Sequence, residues 1–195
     1  MATISKLRFI QLLPNTVTDG KFILKDLPGS GKRIDLLCRV LSACFDWGPV
    51  SFPRFELEVI AILHNDISLV FQNPTVLPKG EVAWARKIQR VLQGQVVEHV
   101  MRIDIGLEEV LTRFALPSGK TWVLREDGKP LKANENLQLN AQNSFILGDH
   151  IGFDENASRI IESVGVESVS LGETSYLSSH CVAAVISEFE RRISK

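Results

Sequence analysis

Apolar and polar positions along this chain switch between two periods, and each switch marks an element. The run LRFIQLL at 7–13 is almost continuously apolar and predicts a first strand. At 33–46 the spacing changes: Ile34, Leu37, Cys38, Leu41 and Phe45 fall on one face of an amphipathic helix. ELEVIAIL at 56–63 and LVFQ at 69–72 predict two further strands. Residues 80–94 read as a helix whose polar side carries Arg86, Lys87 and Arg90. A strand near 97–103 and a helix near 107–115 follow. Beyond them, TWVLR at 121–125 predicts a strand ended by the turn pair Asp127-Gly128. NSFILG at 143–148 is another, then a helix at 154–163, a strand at 167–171 and a last helix at 175–193.

Strands alternating with helices predict an α/β layer architecture with a mostly parallel sheet, in one domain spanning 1–195. Ligands of such sheets sit beyond the carboxyl ends of the strands. Three loops leave strands in this way: REDG at 125–128, LGDHIGF at 147–153 and SLGETSYLSSH at 170–180. Glycine in such loops permits a close approach of backbone to ligand.

Composition narrows the function classes. With 195 residues, 45% of them hydrophobic, the chain can bury a substantial core. No stretch approaches the roughly 20 apolar residues of a membrane span, and the opening MATISKLRFIQLLP has no small-residue cleavage site, so a cytoplasmic protein is expected. Cys38, Cys44 and Cys181 form no metal-binding spacing, and no metal is expected. A net charge of −1 offers no global basic field, so nucleic-acid binding would have to rest on a local patch.

GSGKR at 29–33 imitates a phosphate loop, but Asp26 and Arg33 stand where that motif needs glycine and a hydroxyl residue. It reads instead as a turn opening the 33–46 helix, with Lys25, Asp26, Lys32, Arg33, Asp35 and Arg39 gathered around a helix start that favours anions. Asp149-His150 has no third ligand nearby; it either holds its loop by hydrogen bonds or touches substrate. The hydroxyls between Ser170 and Ser179 serve a ligand or simply cap the last helix. Tyr176, Trp84 and Trp122 read as packing residues.

Two stretches carry a family resemblance. FILKDLPGSGKRIDLLCRVL at 22–41 is similar to the N-terminal signature of the archaeal tRNA pseudouridine-54 N1-methyltransferases, members of the SPOUT superfamily. LGDHIGF at 147–153 and SLGETSYLSSHCV at 170–182 resemble that family's C-terminal cofactor motifs. The first motif is long and specific; the other two are shared more widely among SPOUT enzymes.

The resemblance implies a SPOUT-like sheet flanked by helices, a C-terminal trefoil knot over about 118–195, a homodimer, and S-adenosylmethionine bent into the crevice of the three loops. It implies Leu124, Gly148, Leu171, Gly172, Ser175 and Cys181 as cofactor contacts, with core packing the alternative for Leu124 and Cys181. Methylation of pseudouridine N1 needs positioning and loss of the N1 proton. Arg33 and Asp35, then Asp149, are the expected substrate-side groups, a surface salt bridge being the alternative; Lys25, Lys32, Arg39, Arg86 and Arg90 would meet the RNA backbone. Competing readings are methylation of another RNA site or of a ribose 2′-hydroxyl, and a non-catalytic RNA-binding protein of the same fold. The chain lacks the dense ion pairing of hyperthermophile proteins and is rich in Gln and Asn. A bacterial member of the family could have its pseudouridine elsewhere in RNA.

Overall fold

A computed structural model describes residues 6–46, 56–116, 119–135, 137 and 141–193. Seven strands form one sheet in the order β4-β3-β2-β1-β6-β5-β7. β1 (Lys6–Leu13) lies in the middle, parallel to both β2 (Glu56–Leu63) and β6 (Gln142–Leu147). β5 (Gly119–Pro130) runs parallel to β6 and to the edge strand β7 (Glu167–Ser170). Only β3 (Ile67–Gln72) reverses direction, antiparallel both to β2 and to the edge strand β4 (Val100–Ile103). The mostly parallel sheet expected from the apolar pattern is present.

Both faces of the sheet are covered, which is why β1 is buried along nearly its whole length. Leu7, Phe9 and Leu13 join one core with α2 (Ile34–Phe45), α3 (Gly80–Leu92) and α6 (Ser178–Ile193). Phe145 organises that side, stacked on Trp122 at 5.3 Å and met edge-on by Phe189 at 6.1 Å. Ile10 and Leu12 point the other way, into a second core with α4 (Leu107–Val110), the wider turn that continues it to Ala115, and α5 (Glu155–Ser163). Trp84 and Trp122 are core residues, as expected; Tyr176 is half exposed.

Charge also enters the second layer. Arg8 of β1 donates through Nε to the Glu58 carboxylate of β2 at 2.5 Å, and through Nη1 to the Phe114 carbonyl and to Ser144. Arg8 and Glu58 are 3% and 2% exposed, which makes this a buried pair. On the opposite layer, Arg192 near the end of α6 donates to the carbonyls of Asn134, Leu131 and Lys132, tying α6 to the β5–β6 connection.

Four local expectations are corrected. The helix start at 29–33 contains a separate short turn of helix, α1 (Leu27–Ser30), capped by the Asp26 carboxylate, before Arg33 begins α2. The strand expected at 97–103 is confined to Val100–Ile103, because His99 takes φ +61 and breaks the extension. The last helix begins at Ser178, not 175, which leaves Ser175 in the loop. Finally, Asp127-Gly128 does not end β5. Leu124 and Lys129 are both in register with Val169, so Arg125–Gly128 bulge outward and the strand then resumes.

Candidate cofactor-binding site

The bulge in β5 is the first wall of the site, and Gly128 permits it. A Cβ there would lie 2.6 to 2.8 Å from the Val169 backbone, so only glycine lets the returning chain lie flat on β7. The second wall is the turn after β6. Asp149 folds it, its carboxylate accepting from the Ile151 N–H at 2.7 Å while the Gly152 N–H donates to the Asp149 carbonyl at 3.1 Å. Gly152 sits at φ +100, and a Cβ on Gly148 would come within 2.9 Å of the Gly152 carbonyl group. Asp149 therefore does hold its loop.

The third wall follows β7. The Ser170 hydroxyl accepts from the Gly172 N–H at 3.0 Å and donates to the Gly172 carbonyl at 2.8 Å, pinning a glycine at φ +155. Ser175 reaches across to the first wall: its hydrogen bond is the main reason the Glu126 carboxyl titrates below the usual carboxylate range. The first turn of α6 closes the site. There Cys181 has its thiol pushed up to about 11 by burial and by the nearby Glu126 charge. Such a thiol stays protonated near neutral pH, a poor nucleophile.

These walls enclose a cavity of about 640 Å³. All six residues expected to contact a cofactor, Leu124, Gly148, Leu171, Gly172, Ser175 and Cys181, line it, as does Asp149. Reasoning from the sequence missed Leu36, Phe153 and Tyr176 as lining residues. Their signals were faint: Leu36 falls outside the stripe of Ile34, Leu37, Cys38, Leu41 and Phe45, Tyr176 read as packing, and Phe153 was one position within the LGDHIGF loop. Leu124, Leu147, Leu171 and Leu177 offer apolar surface for a heterocycle, and Glu126, Asp127 and Asp149 offer negative charge. That mixture suits a donor with an adenine at one end and a net positive charge from its sulfonium and ammonium groups.

Arg33 and Asp35 are not among the lining residues. Asp35 is 1% exposed, accepts from Arg33 Nε and Nη2 at 3.1 and 3.2 Å, and forms an ion pair with Arg39 Nη2 at 3.2 Å. Arg33 adopts φ +72, and Lys32 before it φ +46, two left-handed residues in succession without glycine. Arg39 also binds Glu81 at 2.9 Å, joining α2 to α3. Lys25, Lys32, Arg86 and Arg90 are exposed. Among the described residues, no helix is long and apolar enough to cross a membrane, and no group of three or more His, Cys, Asp or Glu is placed to hold a metal.

Comparison with known proteins agrees with this geometry. The chain is 32% identical over 186 residues to the tRNA (pseudouridine(54)-N(1))-methyltransferase of Pyrococcus abyssi, covering 86% of this chain and 89% of that one. It is also 32% identical to the enzyme of the same name from Thermococcus kodakarensis, covering 91% and 95%. The fold matches that of Archaeoglobus fulgidus Nep1, crystallised with S-adenosylhomocysteine, over 100% of both chains with a TM-score of 0.65 at 16% identity. A family model described as "Putative SAM-dependent RNA methyltransferase" matches residues 7–192, and the chain belongs to that family of S-adenosylmethionine-dependent RNA methyltransferases.

Proposed function

We propose that this protein methylates N1 of a pseudouridine in tRNA, working as a homodimer in the cytoplasm with S-adenosylmethionine as donor. One observation carries the reading. The three strand-end loops converge on a single cavity with the lining a folded sulfonium donor requires, in a chain about a third identical to archaeal pseudouridine N1-methyltransferases. Bound there, the donor supplies an activated methyl group. The chain contributes binding surface through Leu124, Gly148, Leu171, Gly172, Ser175 and Cys181, and holds the reacting partners in line, the source of much of the acceleration in such reactions.

On the substrate side, Leu36, the sequence neighbour of Asp35, lines the cavity, which supports the Arg33–Asp35 pair as the group that meets the base. That pair orients the base and receives or relays its N1 proton, with Asp149 inside the cavity as the second carboxylate for the task. Exposed Lys25, Lys32, Arg86 and Arg90, together with half-buried Arg39, are the proposed contacts to the RNA phosphates. Ile151, Tyr176 and Leu177 are 77%, 49% and 48% exposed on the loops around the cavity, an apolar rim that supports a second protomer there. The pairing order β6-β5-β7, with the adjacent α6 bound through Arg192 to the β5–β6 connection, supports a trefoil knot over about 118–195. The free thiols Cys38, Cys44 and Cys181 suit a reducing compartment.

The test is mass spectrometry of nucleosides from pseudouridine-containing tRNA incubated with the protein and isotope-labelled S-adenosylmethionine. Label should appear in 1-methylpseudouridine and vanish when the target is replaced by uridine. Label in a ribose-methylated nucleoside, or in none, would contradict the proposal.

A further inference from the structure

A carbonyl oxygen has two lone pairs, and both of those on Gly148 are engaged by side chains from distant parts of the chain. Gln11 of β1 donates through Nε2 at 2.8 Å, and Ser178 in the first turn of α6 donates through its hydroxyl at 2.9 Å. The carbonyl is thereby closed to any ligand. Because a peptide is planar and trans, the same two bonds fix the direction of the Asp149 N–H that follows. Gly148 opens the second loop of the cavity and Ser178 closes the third, so one atom joins both loops to the central strand.

Gln11 is costly where it stands. It is fully buried in a strand whose neighbours Phe9, Ile10, Leu12 and Leu13 are apolar, and its Oε1 has no hydrogen-bond partner among the described residues. An amide so placed destabilises unless its bonds achieve something a leucine would not. Its NH2 group also faces the Leu12 carbonyl at 3.1 Å, so both acceptors demand nitrogen on that side. In register with Leu147, Gln11 is placed to reach the next carbonyl along β6.

We propose that Gln11 and Ser178 are positioning residues that clamp the Gly148 carbonyl and so hold the cavity at the width its donor needs. This inference rests on the reading that the cavity takes S-adenosylmethionine. Gln11 is the discriminating position, because it is not among the residues lining the cavity and so has no ligand contact of its own to lose.

The experiment compares Gln11→Met, Ser178→Ala, Ser178→Thr and the Gln11→Met/Ser178→Ala double variant, each kept well below its melting temperature. Three quantities are measured: S-adenosylhomocysteine affinity by calorimetry, tRNA affinity without cofactor, and amide exchange of residues 149–152. Gln11→Met and Ser178→Ala should each weaken S-adenosylhomocysteine by about tenfold, as expected for one lost bond, and speed exchange in the loop, with tRNA affinity unchanged. Ser178→Thr keeps the hydroxyl and should restore both readouts. The double variant should lose less than the product of the single losses, because both bonds hold one carbonyl. Wild-type affinity and exchange in folded Gln11→Met would overturn the clamp. Failure of the wild-type protein itself to bind S-adenosylhomocysteine would overturn the functional reading instead, and loop exchange alone would then decide whether the clamp exists.

Discussion

The Gly172→Val variant is expected to fold and to lose S-adenosylmethionine affinity by at least about 100-fold, equivalent to roughly 2.7 kcal/mol. Gly172 holds φ +155, a backbone state that a β-branched residue resists, and Ser170 pins it there through both its N–H and its carbonyl. The strain would displace the third wall. Any side chain that did fit would extend toward Tyr176, whose hydroxyl lies 3.5 Å from where its Cβ would be. Gly172 and Tyr176 both line the cavity, so the added methyl groups would occupy ligand space. The position lies on an edge loop outside both cores, so the melting temperature should change little. Calorimetry with S-adenosylmethionine, alongside a thermal melt, measures both; unchanged affinity would remove Gly172 from the site.

The largest effect on stability is expected from Glu58→Met. It leaves the Arg8 guanidinium buried without its carboxylate, beside Lys6, which also pairs with Glu58 at 3.4 Å. Breaking one side of a buried pair costs about 3–5 kcal/mol, which in a domain of this size lowers the melting temperature by roughly 6–20 °C. Arg8→Met/Glu58→Met removes both charges from a layer already lined by Ile10, Ile60 and Val110, and should recover most of that loss. If the double variant melts no higher than Glu58→Met, the pair is not coupled as its geometry indicates.

Much of the site was legible because its causes are local. The apolar runs of β1 and β2 and the helical spacing in α2 survive folding unchanged, since each element buries the face its period selects. Gly148 and Gly172 marked strand-end loops for the reason the structure shows: backbone must pass where a Cβ has no room or the wrong geometry. Features that depend on distant partners were not legible. Asp127-Gly128 has turn chemistry and does turn, but β7 offers Lys129 and Pro130 a place to pair again, so the strand outlasts its own stop signal. Lys32 and Arg33 take left-handed backbone with no glycine to announce it, held by bonds from Thr16 and to Pro28 and Asp35. Gln11 is the one polar residue in the run at 7–13 besides Arg8, and the carbonyl it bonds lies 137 residues away, at Gly148.

The decisive measurement is a crystal structure of the protein with S-adenosylhomocysteine. The account predicts the ligand bent within the cavity, bounded by Leu124–Asp127, Gly148–Phe153 and Leu171–Ser178. Ligand bound elsewhere, or a cavity left empty at saturating ligand with all three loops in place, would contradict it.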